Sequence, residues 1–310
     1  MKKSLVFLMV LVPLLVFSQL AWGQGEKAKI PVFVSILPQA YFLERIGGSH
    51  VDVEVLIGAG QSPHSYEPTP KQMAKLATSR VFFSIGVPVE KGVLRKIRQS
   101  HKQLAIVETQ QGITYRYLDG HHHDDGDSHG NAHRTAGHVT YAPTTAGQKT
   151  PDPHIWMAPK LVKIQARNIY DALSRLDPAH KQEYAANLRA FEADLDRVDA
   201  RISRSLAPLK GRKMYVFHPS FGYFADAYGL IQVPIEIEGK EPGARQLAKL
   251  IDRAKKDRVR VMFVQPQFSA RSAEAVAKAI GGVVIPIDPL ARDYPANLDK
   301  IAAAVERGLR

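Results

Sequence analysis

Residues 178–206 read PAHKQEYAANLRAFEADLDRVDARISRSL, and this stretch decides the predicted fold. Its large apolar residues recur three and four positions apart: Leu188, Phe191, Leu195, Val198, Ile202 and Leu206. That spacing places them on one face of a helix. Apolar spacing alone is typical of an ordinary core helix, but this helix is long and stands between two regions of alternating strands and helices. We therefore predict a helical spine that joins two lobes.

Short apolar runs alternate with helical patterns on both sides of the spine. Before it, the pattern predicts strands at residues 30–36, 51–57, 81–85 and 103–109. The helices predicted there are residues 38–46, 69–79 and 159–176. After the spine, the predicted strands are residues 213–217, 233–237, 259–264 and 283–287. The helices predicted there are residues 223–228, 244–257 and 270–280. This rhythm is typical of α/β domains with largely parallel sheets.

The N-terminus has the layout of a secretory signal peptide. Lys2 and Lys3 precede an apolar run over residues 5–15, and a small-residue exit ends at Gly23, after which cleavage is expected. The chain contains no cysteine, which excludes disulfides, zinc–thiolate sites and a lipid-bearing cysteine. We therefore predict a protein exported to the periplasm of a Gram-negative bacterium, soluble and not a lipoprotein.

The formal net charge of +12 raises the question of a nucleic-acid partner. The lysines and arginines are scattered over helical segments, and no aromatic residues are interleaved with them in a stacking pattern. This distribution favours solvated helix faces, and an exported protein rarely meets nucleic acid. We predict no nucleic-acid partner and a monomeric chain.

Three histidines and one aspartate stand beside turn-forming prolines at widely separated positions. They occur in Ser62-Pro63-His64, Asp152-Pro153-His154, His218-Pro219 and Ile287-Asp288-Pro289. His218 and Asp288 end predicted strands, and ligands of open α/β sheets bind beyond the carboxyl ends of the strands. Three imidazoles and one carboxylate suit tetrahedral zinc, at roughly 2.0–2.2 Å. A single His-Pro pair is more often a loop histidine, but four such sites in order predict a metal site.

The residue types also bear on which metal binds. Imidazole suits zinc, copper and nickel, whereas manganese and magnesium prefer oxygen, so His218 shifts the preference towards zinc. Asp152 and Glu67 are candidates to accept the second ring N–H of a ligating histidine, or simply cap turns. Trp156 is interpreted as a buried core residue. Because the ligands must lose protons, zinc affinity is expected to fall as the pH drops through the histidine range near ~6.5.

Residues 120–149 break the α/β pattern and are predicted to be a mobile insertion. The segment has almost no large apolar residue, so it cannot bury enough surface to offset the entropy of ordering it. Its histidines are His121, His122, His123, His129, His133 and His138. They predict an accessory loop that collects zinc at low affinity, or a flexible loop with incidental metal affinity.

The motifs resemble those of the metal-specific (cluster A-I) solute-binding proteins of bacterial ABC importers, most closely the zinc-binding ZnuA-type members. The resemblance covers nearly all of the mature chain. Besides the four ligand motifs it rests on Tyr66-Glu67-Pro68, Ile155-Trp156, Ser220-Phe221-Gly222-Tyr223-Phe224, Glu238-Gly239-Lys240-Glu241-Pro242 and Gln265-Pro266-Gln267-Phe268.

The resemblance implies two (β/α) lobes joined by one rigid helix, with the metal in the cleft between them. It implies that His64 and His154 come from the N-terminal lobe, and His218 and Asp288 from the C-terminal lobe. It further implies capture of Zn²⁺ and its delivery to an ABC importer permease with a cytoplasmic ATPase, without catalysis. The predicted organisation is a signal peptide, an N-terminal lobe, a linking helix and a C-terminal lobe, at residues 1–23, 24–177, 178–207 and 208–310.

Several alternatives stay open at this point. Some zinc members of the family use a loop carboxylate or a water in place of the C-terminal aspartate, so Glu67 rivals Asp288 as the fourth ligand. Manganese-type relatives carry a glutamate at the position of His218, which makes a manganese- or iron-binding member the main alternative. A zinc hydrolase would need a general base beside an open position, and the chain has no His-Glu-x-x-His helix. No feature of the sequence supports a role as a surface adhesin.

Overall fold

The computed structural model describes residues 28–101, 103–118, 150–236 and 241–310. The predicted signal peptide and the predicted insertion lie outside these ranges. So do Glu238 and the accessory histidines His121, His122, His123, His129, His133 and His138.

The first lobe is built on a four-stranded sheet. Its strands are β1 (Ile30–Ile36), β2 (Val51–Ile57), β3 (Val81–Ser84) and β4 (Ala105–Glu108). They are all parallel and lie in the order β2-β1-β3-β4. The helices of this lobe are α1 (Leu37–Gly47), α2 (Pro70–Thr78), α3 (Val89–Ser100) and α4 (Pro159–Leu176). A short antiparallel pair, β5 (Tyr117–Leu118) and β6 (Thr150–Pro151), follows β4.

The linking helix α5 runs from Lys181 to Leu206 and is flanked by 3₁₀ turns at Pro178–His180 and Ala207–Leu209. Its buried residues are Tyr184, Phe191, Leu195, Val198, Ile202 and Leu206. Five of these are the residues whose spacing predicted the helix, while Leu188 is half-buried at the edge of the same core. The helix packs against α1 and α4 of the first lobe.

The second lobe repeats the architecture of the first. Its strands are β7 (Lys213–Val216), β8 (Ile231–Pro234), β9 (Val261–Val264) and β10 (Val283–Pro286). They are parallel and lie in the order β10-β9-β7-β8. The helices are α6 (Gly222–Tyr228), α7 (Ala244–Lys256), α8 (Arg271–Ala279) and α9 (Tyr294–Leu309). The last helix, α9, packs against α5, so that one apolar core runs from the first sheet through the spine into the second lobe.

Both sheets place their first strand between their second and third. In such a sheet the connections leave the first and third strands on opposite faces, and a crevice opens beyond their carboxyl ends. In the first lobe that point lies between β1 and β3, and in the second between β7 and β9. The fold therefore creates two crevices, one at the carboxyl edge of each sheet.

The predicted fold class is confirmed, and most predicted elements match within two residues. The bounds of the strand predicted at residues 233–237 are wrong, because β8 begins two residues earlier, at Ile231. β8 is an edge strand that pairs only with β7, and Ile231 at its start is half-exposed, so an apolar run does not mark where the strand begins. The helices α3 and α9 were not predicted. Among the described residues, no helix is both long and apolar enough to cross a bilayer. The lobe boundaries by residue number stay a prediction.

Candidate metal centre

The structure brings His64, His154 and His218 together from three distant parts of the chain. One ring nitrogen from each lies within 4.8 Å of the others. His154 and His218 are buried, with exposed fractions of 4% and 5%, and His64 is part-buried. The ring centroids of His64 and His218 are 4.5 Å apart, and those of His154 and His218 are 5.2 Å apart. His64 and His154 lie in the first lobe and His218 in the second, so the cluster lies where the two lobes meet.

Each histidine is held by a different local device. His64 lies in the loop after β2, and Gln72 ties that loop down by donating to the Leu56 carbonyl at 2.8 Å and accepting from the Tyr66 hydroxyl at 2.6 Å. His154 caps the 3₁₀ turn Ile155–Met157 ahead of α4. His218 follows β7 by two residues, at the carboxyl edge of the second sheet.

Buried carboxylates orient two of the three imidazoles. Nδ1 of His154 lies 2.7 Å from Asp152 Oδ1, and Nδ1 of His218 lies 2.7 Å from Glu236 Oε1. An ionised carboxylate can only accept a hydrogen bond, so each contact assigns the ring proton to Nδ1 as donor and leaves a lone pair on Nε2. The carboxylate therefore presents its histidine in the tautomer that binds a metal through Nε2.

The two Nε2 atoms of His154 and His218 lie 3.3 Å apart. Tetrahedral zinc with bonds of roughly 2.1 Å separates its donor atoms by roughly 3.4 Å, so this spacing is that of a zinc site. Two lone pairs facing each other at this distance repel unless a cation or a proton lies between them. The arrangement is thus suited to a metal ion.

Asp152 is the carboxylate that links this site to the rest of the fold. It is fully buried. Burial by itself raises the pKa of Asp152, but the contacts with His154 and with Arg116 lower that pKa overall. The Arg116 guanidinium donates to Asp152 at 2.9 Å and to Asp226 on α6 at 3.0 Å, so it spans both lobes. Asp152 therefore remains ionised behind His154.

Gln265 and Phe268 position His218 from the second lobe. The Gln265 side chain accepts from the His218 backbone N–H at 3.1 Å and donates to the His218 carbonyl at 2.7 Å. The Phe268 ring stacks on the His218 imidazole with centroids 4.6 Å apart. Backbone and ring are thus both fixed, which reduces the ordering cost of binding a metal.

A cavity of about 10 Å³ lies among the three histidines. That is close to the smallest volume that holds one water molecule. Gln267 lines it, and its Oε1 is buried without a hydrogen-bond partner in the described part of the chain. A buried acceptor without a partner is costly, so Gln267 Oε1 offers an unused acceptor at the edge of this cavity.

Neither predicted fourth ligand lies among the clustered donor atoms. Asp288 Oδ1 accepts from the Gln267 amide at 2.7 Å and from the Leu290 backbone N–H at 2.9 Å. Glu67 is exposed. Among the described residues no carboxylate joins the three imidazoles within 4.8 Å. Which of Asp288, Glu67 or a water molecule fills the fourth coordination position stays a prediction.

Sequence reasoning missed Glu236 as the partner of His218. Its only signal is its place two residues beyond β8, which matches the places of His218 beyond β7 and Asp288 beyond β10. The predicted role of Asp152 beside His154 is confirmed by the 2.7 Å contact, whereas Glu67 contacts none of the three histidines within hydrogen-bond distance. Trp156, predicted to be a core residue, has an exposed fraction of 1%.

Comparison with known proteins identifies the family of this architecture. The family model described as ZnuA, zinc-uptake complex component A, periplasmic, matches residues 32–308. The chain belongs to the ZnuA family. This match covers both sheets, the linking helix and the three clustered histidines.

Individual relatives agree with the family match. The chain is 29% identical over 271 residues to the high-affinity zinc uptake system protein ZnuA of Yersinia pestis, covering 85% of this chain and 84% of that protein. It is 27% identical over 299 residues to the zinc-binding protein AdcA of Streptococcus pyogenes, covering 94% of this chain. It spans only 56% of the length of that relative. A crystal structure of ZnuA superposes with a TM-score of 0.81 at 39% identity, over 91% of this chain and 100% of that one.

Replacing Glu236 with alanine is expected to weaken zinc binding by about 10–100-fold, the usual cost of losing an outer carboxylate partner. The imidazole of His218 would lose the acceptor that fixes its tautomer. Zinc competition titrations against a chelator measure the change, and Glu274→Ala, which removes an exposed carboxylate on α8, is the matched control. Wild-type affinity in Glu236→Ala would contradict the prediction. An equal loss of affinity in Glu274→Ala would show that the effect is not specific to Glu236.

The pH dependence of zinc binding is expected to start below the ordinary histidine range. Burial, together with the neighbouring histidines, lowers the pKa of His64 well below 6.5. Burial lowers the pKa of His218, although Glu236 offsets part of that effect. Zinc needs the neutral imidazole, so protons compete with zinc at His64 and His218 only below the lowered pKa values of these two residues. Zinc affinity should therefore change by less than about tenfold between about pH 7.5 and about pH 6.5 and fall more steeply below that. A tenfold loss already between those two values, measured by chelator competition, would contradict this.

Proposed function

We propose that this ZnuA-family chain captures Zn²⁺ in the cleft between its lobes and delivers it to an ABC-type import permease powered by a cytoplasmic ATPase. The observation that carries the proposal is the 3.3 Å separation of the two Nε2 atoms of His154 and His218, each oriented by its own buried carboxylate. His64 supplies the third nitrogen. The names of the relatives, a zinc uptake protein and a zinc-binding protein, support the same cargo.

The chemistry of the donor atoms favours zinc over manganese. Three imidazole nitrogens suit zinc, whereas manganese prefers oxygen ligands and higher coordination. Among the described residues no carboxylate oxygen joins the three imidazole nitrogens within 4.8 Å, so the clustered donor atoms are not the oxygen-rich set that manganese prefers. With neutral imidazoles the site carries the charge of the ion, which Asp152 and Glu236 offset from behind the rings.

The proposal assigns binding and release to the cleft, and no catalysis. It places the chain in the periplasm without a lipid anchor, on the strength of the signal-peptide pattern and the absence of cysteine from the sequence. The histidines of residues 120–149 are proposed to collect zinc at low affinity. One relative, AdcA of Streptococcus pneumoniae, is named a zinc-binding lipoprotein.

Titration of the chelator-stripped mature protein with zinc and, separately, with manganese tests the proposal. Once residues 1–23 are removed, Trp156 is the only tryptophan, and its ring centroid lies 5.2 Å from that of His154, so its fluorescence reports on the cleft. We expect one tight zinc per chain that changes this fluorescence, with manganese at least about 1,000-fold weaker. Tight manganese, or tight zinc without a fluorescence change, would contradict the cleft assignment.

A further inference from the structure

A second group of metal-binding side chains lies at the opposite edge of the first sheet. His50 is the last residue of the 3₁₀ turn Gly48–His50, directly before β2. Asp177 and His180 lie in the turn between α4 and α5. One donor atom from each of the three residues lies within 4.8 Å of the others. The cluster therefore joins the start of β2 to the start of the linking helix.

This group is separate from the cleft. His50 precedes β2 and His64 follows it, and β2 has seven residues. A strand rises roughly 3.3 Å per residue, which places the two groups roughly 20 Å apart. An ion at one cannot share ligands with an ion at the other.

The two imidazoles are already paired with carboxylates. Nδ1 of His180 lies 2.5 Å from Asp177 Oδ2, and Nε2 of His50 lies 2.8 Å from Glu183 Oε2. The Tyr184 hydroxyl donates to the same oxygen of Asp177 at 2.8 Å. A divalent ion bound here would have two carboxylates, those of Asp177 and Glu183, close by to balance its charge.

The rings are close together and accessible. The imidazoles of His50 and His180 stack with centroids 3.8 Å apart, and their side chains are 21% and 27% exposed. An open pocket of about 230 Å³ adjoins them, lined by Ala28, Ile30, His50, Leu176, Asp177 and His180. The pocket gives an ion a route from solvent and room for water ligands.

We propose that His50, Asp177 and His180 form a second, weaker site for a divalent transition-metal ion, which fastens the start of the linking helix to the first lobe. Imidazole and carboxylate ligands suit zinc, nickel and copper. Glu183 is the residue that orients His50. Donor atoms up to 4.8 Å apart must approach to roughly 3.4 Å around zinc, which the part-exposed rings can do by rotating. This ordering cost and the open pocket make the site weaker than the cleft.

The test uses zinc as the probe in a variant whose cleft is disabled by His64→Ala. Zinc that binds the folded chain at a site joining two segments raises the unfolding temperature. We expect zinc to raise the unfolding temperature in this background, and most of that rise to be lost when His50→Gln and His180→Gln are added. The matched control is His101→Gln, an exposed histidine in neither cluster, which should keep the rise. The histidines of residues 120–149 are present in every variant, so any effect that they have on the zinc-induced rise is the same in each.

A second measurement guards against a folding defect in the double variant. In the His64→Ala protein without further substitutions, zinc should shift the imidazole proton NMR signals of His50 and His180. These signals are identified as the ones that are missing from the spectra of His50→Gln and His180→Gln. Loss of either histidine should weaken zinc binding at this site by at least about 100-fold. An unchanged thermal rise in the double variant, or unshifted His50 and His180 signals, would overturn the proposal. Neither result bears on the cleft zinc, which is measured in the chain with His64 intact.

Discussion

Replacing His64 with alanine is expected to weaken zinc binding by at least about 1,000-fold, since losing an outer partner alone costs about 10–100-fold. The zinc-free protein should lose less stability than the His218→Ala protein does. The His64 ring is part-buried, and among the described residues no side chain forms a hydrogen bond with it. The variant therefore removes a nitrogen donor without leaving a buried group unpaired.

The comparison with His218→Ala separates binding from stability. His218 contacts the buried Glu236, so its removal leaves a carboxylate that is only 4% exposed without its partner. We expect a similar loss of zinc but also a loss of about 1–3 kcal/mol in the free energy of unfolding. Chelator competition and denaturant titration measure the two effects. Zinc binding at wild-type affinity in His64→Ala would show that His64 is not a zinc ligand.

The second large effect is expected from Trp156→Ala, which should lower the free energy of unfolding by about 3–5 kcal/mol. Trp156 is 1% exposed and joins the lobes, because its indole N–H donates to the Pro289 carbonyl at 2.8 Å. Its own carbonyl accepts from the Tyr294 hydroxyl on α9 at 2.7 Å. The substitution opens a cavity and leaves the Pro289 carbonyl without this donor.

Two further variants show which part of that effect comes from packing. Trp156→Phe keeps most of the volume and should cost about 1–2 kcal/mol, chiefly for the lost hydrogen bond. Tyr117→Ala removes a side chain of a residue that is 50% exposed, and should change stability by less than about 0.5 kcal/mol. Denaturant unfolding of the zinc-free proteins measures all three. A cost for Trp156→Ala no larger than that for Tyr117→Ala would contradict the role of Trp156 between the lobes.

The sequence predicted the fold well because periodicity is a local signal. The apolar stripe of α5 is visible as spacing, and all but Leu188 of its predicted residues are fully buried in the core. The convergence of His64, His154 and His218 was also predicted, since strand ends and proline turns mark such positions. In both cases the decisive information lies within a few residues of each feature.

The partners of the ligands depend on strand register, which local patterns do not fix. Glu236 meets His218 because β8 pairs with β7 from Ile231 onward, two residues earlier than predicted. Arg116 reaches Asp152 because β5 pairs with β6 across residues 119–149. The cluster of His50, Asp177 and His180 likewise depends on the packing of α5 against the first lobe, so no motif announces it.

Zinc capture in the cleft is best tested by a crystal structure of the zinc-loaded mature protein, with anomalous data collected at the zinc absorption edge. We expect the strongest peak between the Nε2 atoms of His154 and His218 and within bonding distance of a His64 ring nitrogen. The same map would show whether Asp288, Glu67 or a water fills the fourth position. A strongest peak away from these three histidines, or one ligated mainly by oxygen, would contradict zinc capture in the cleft.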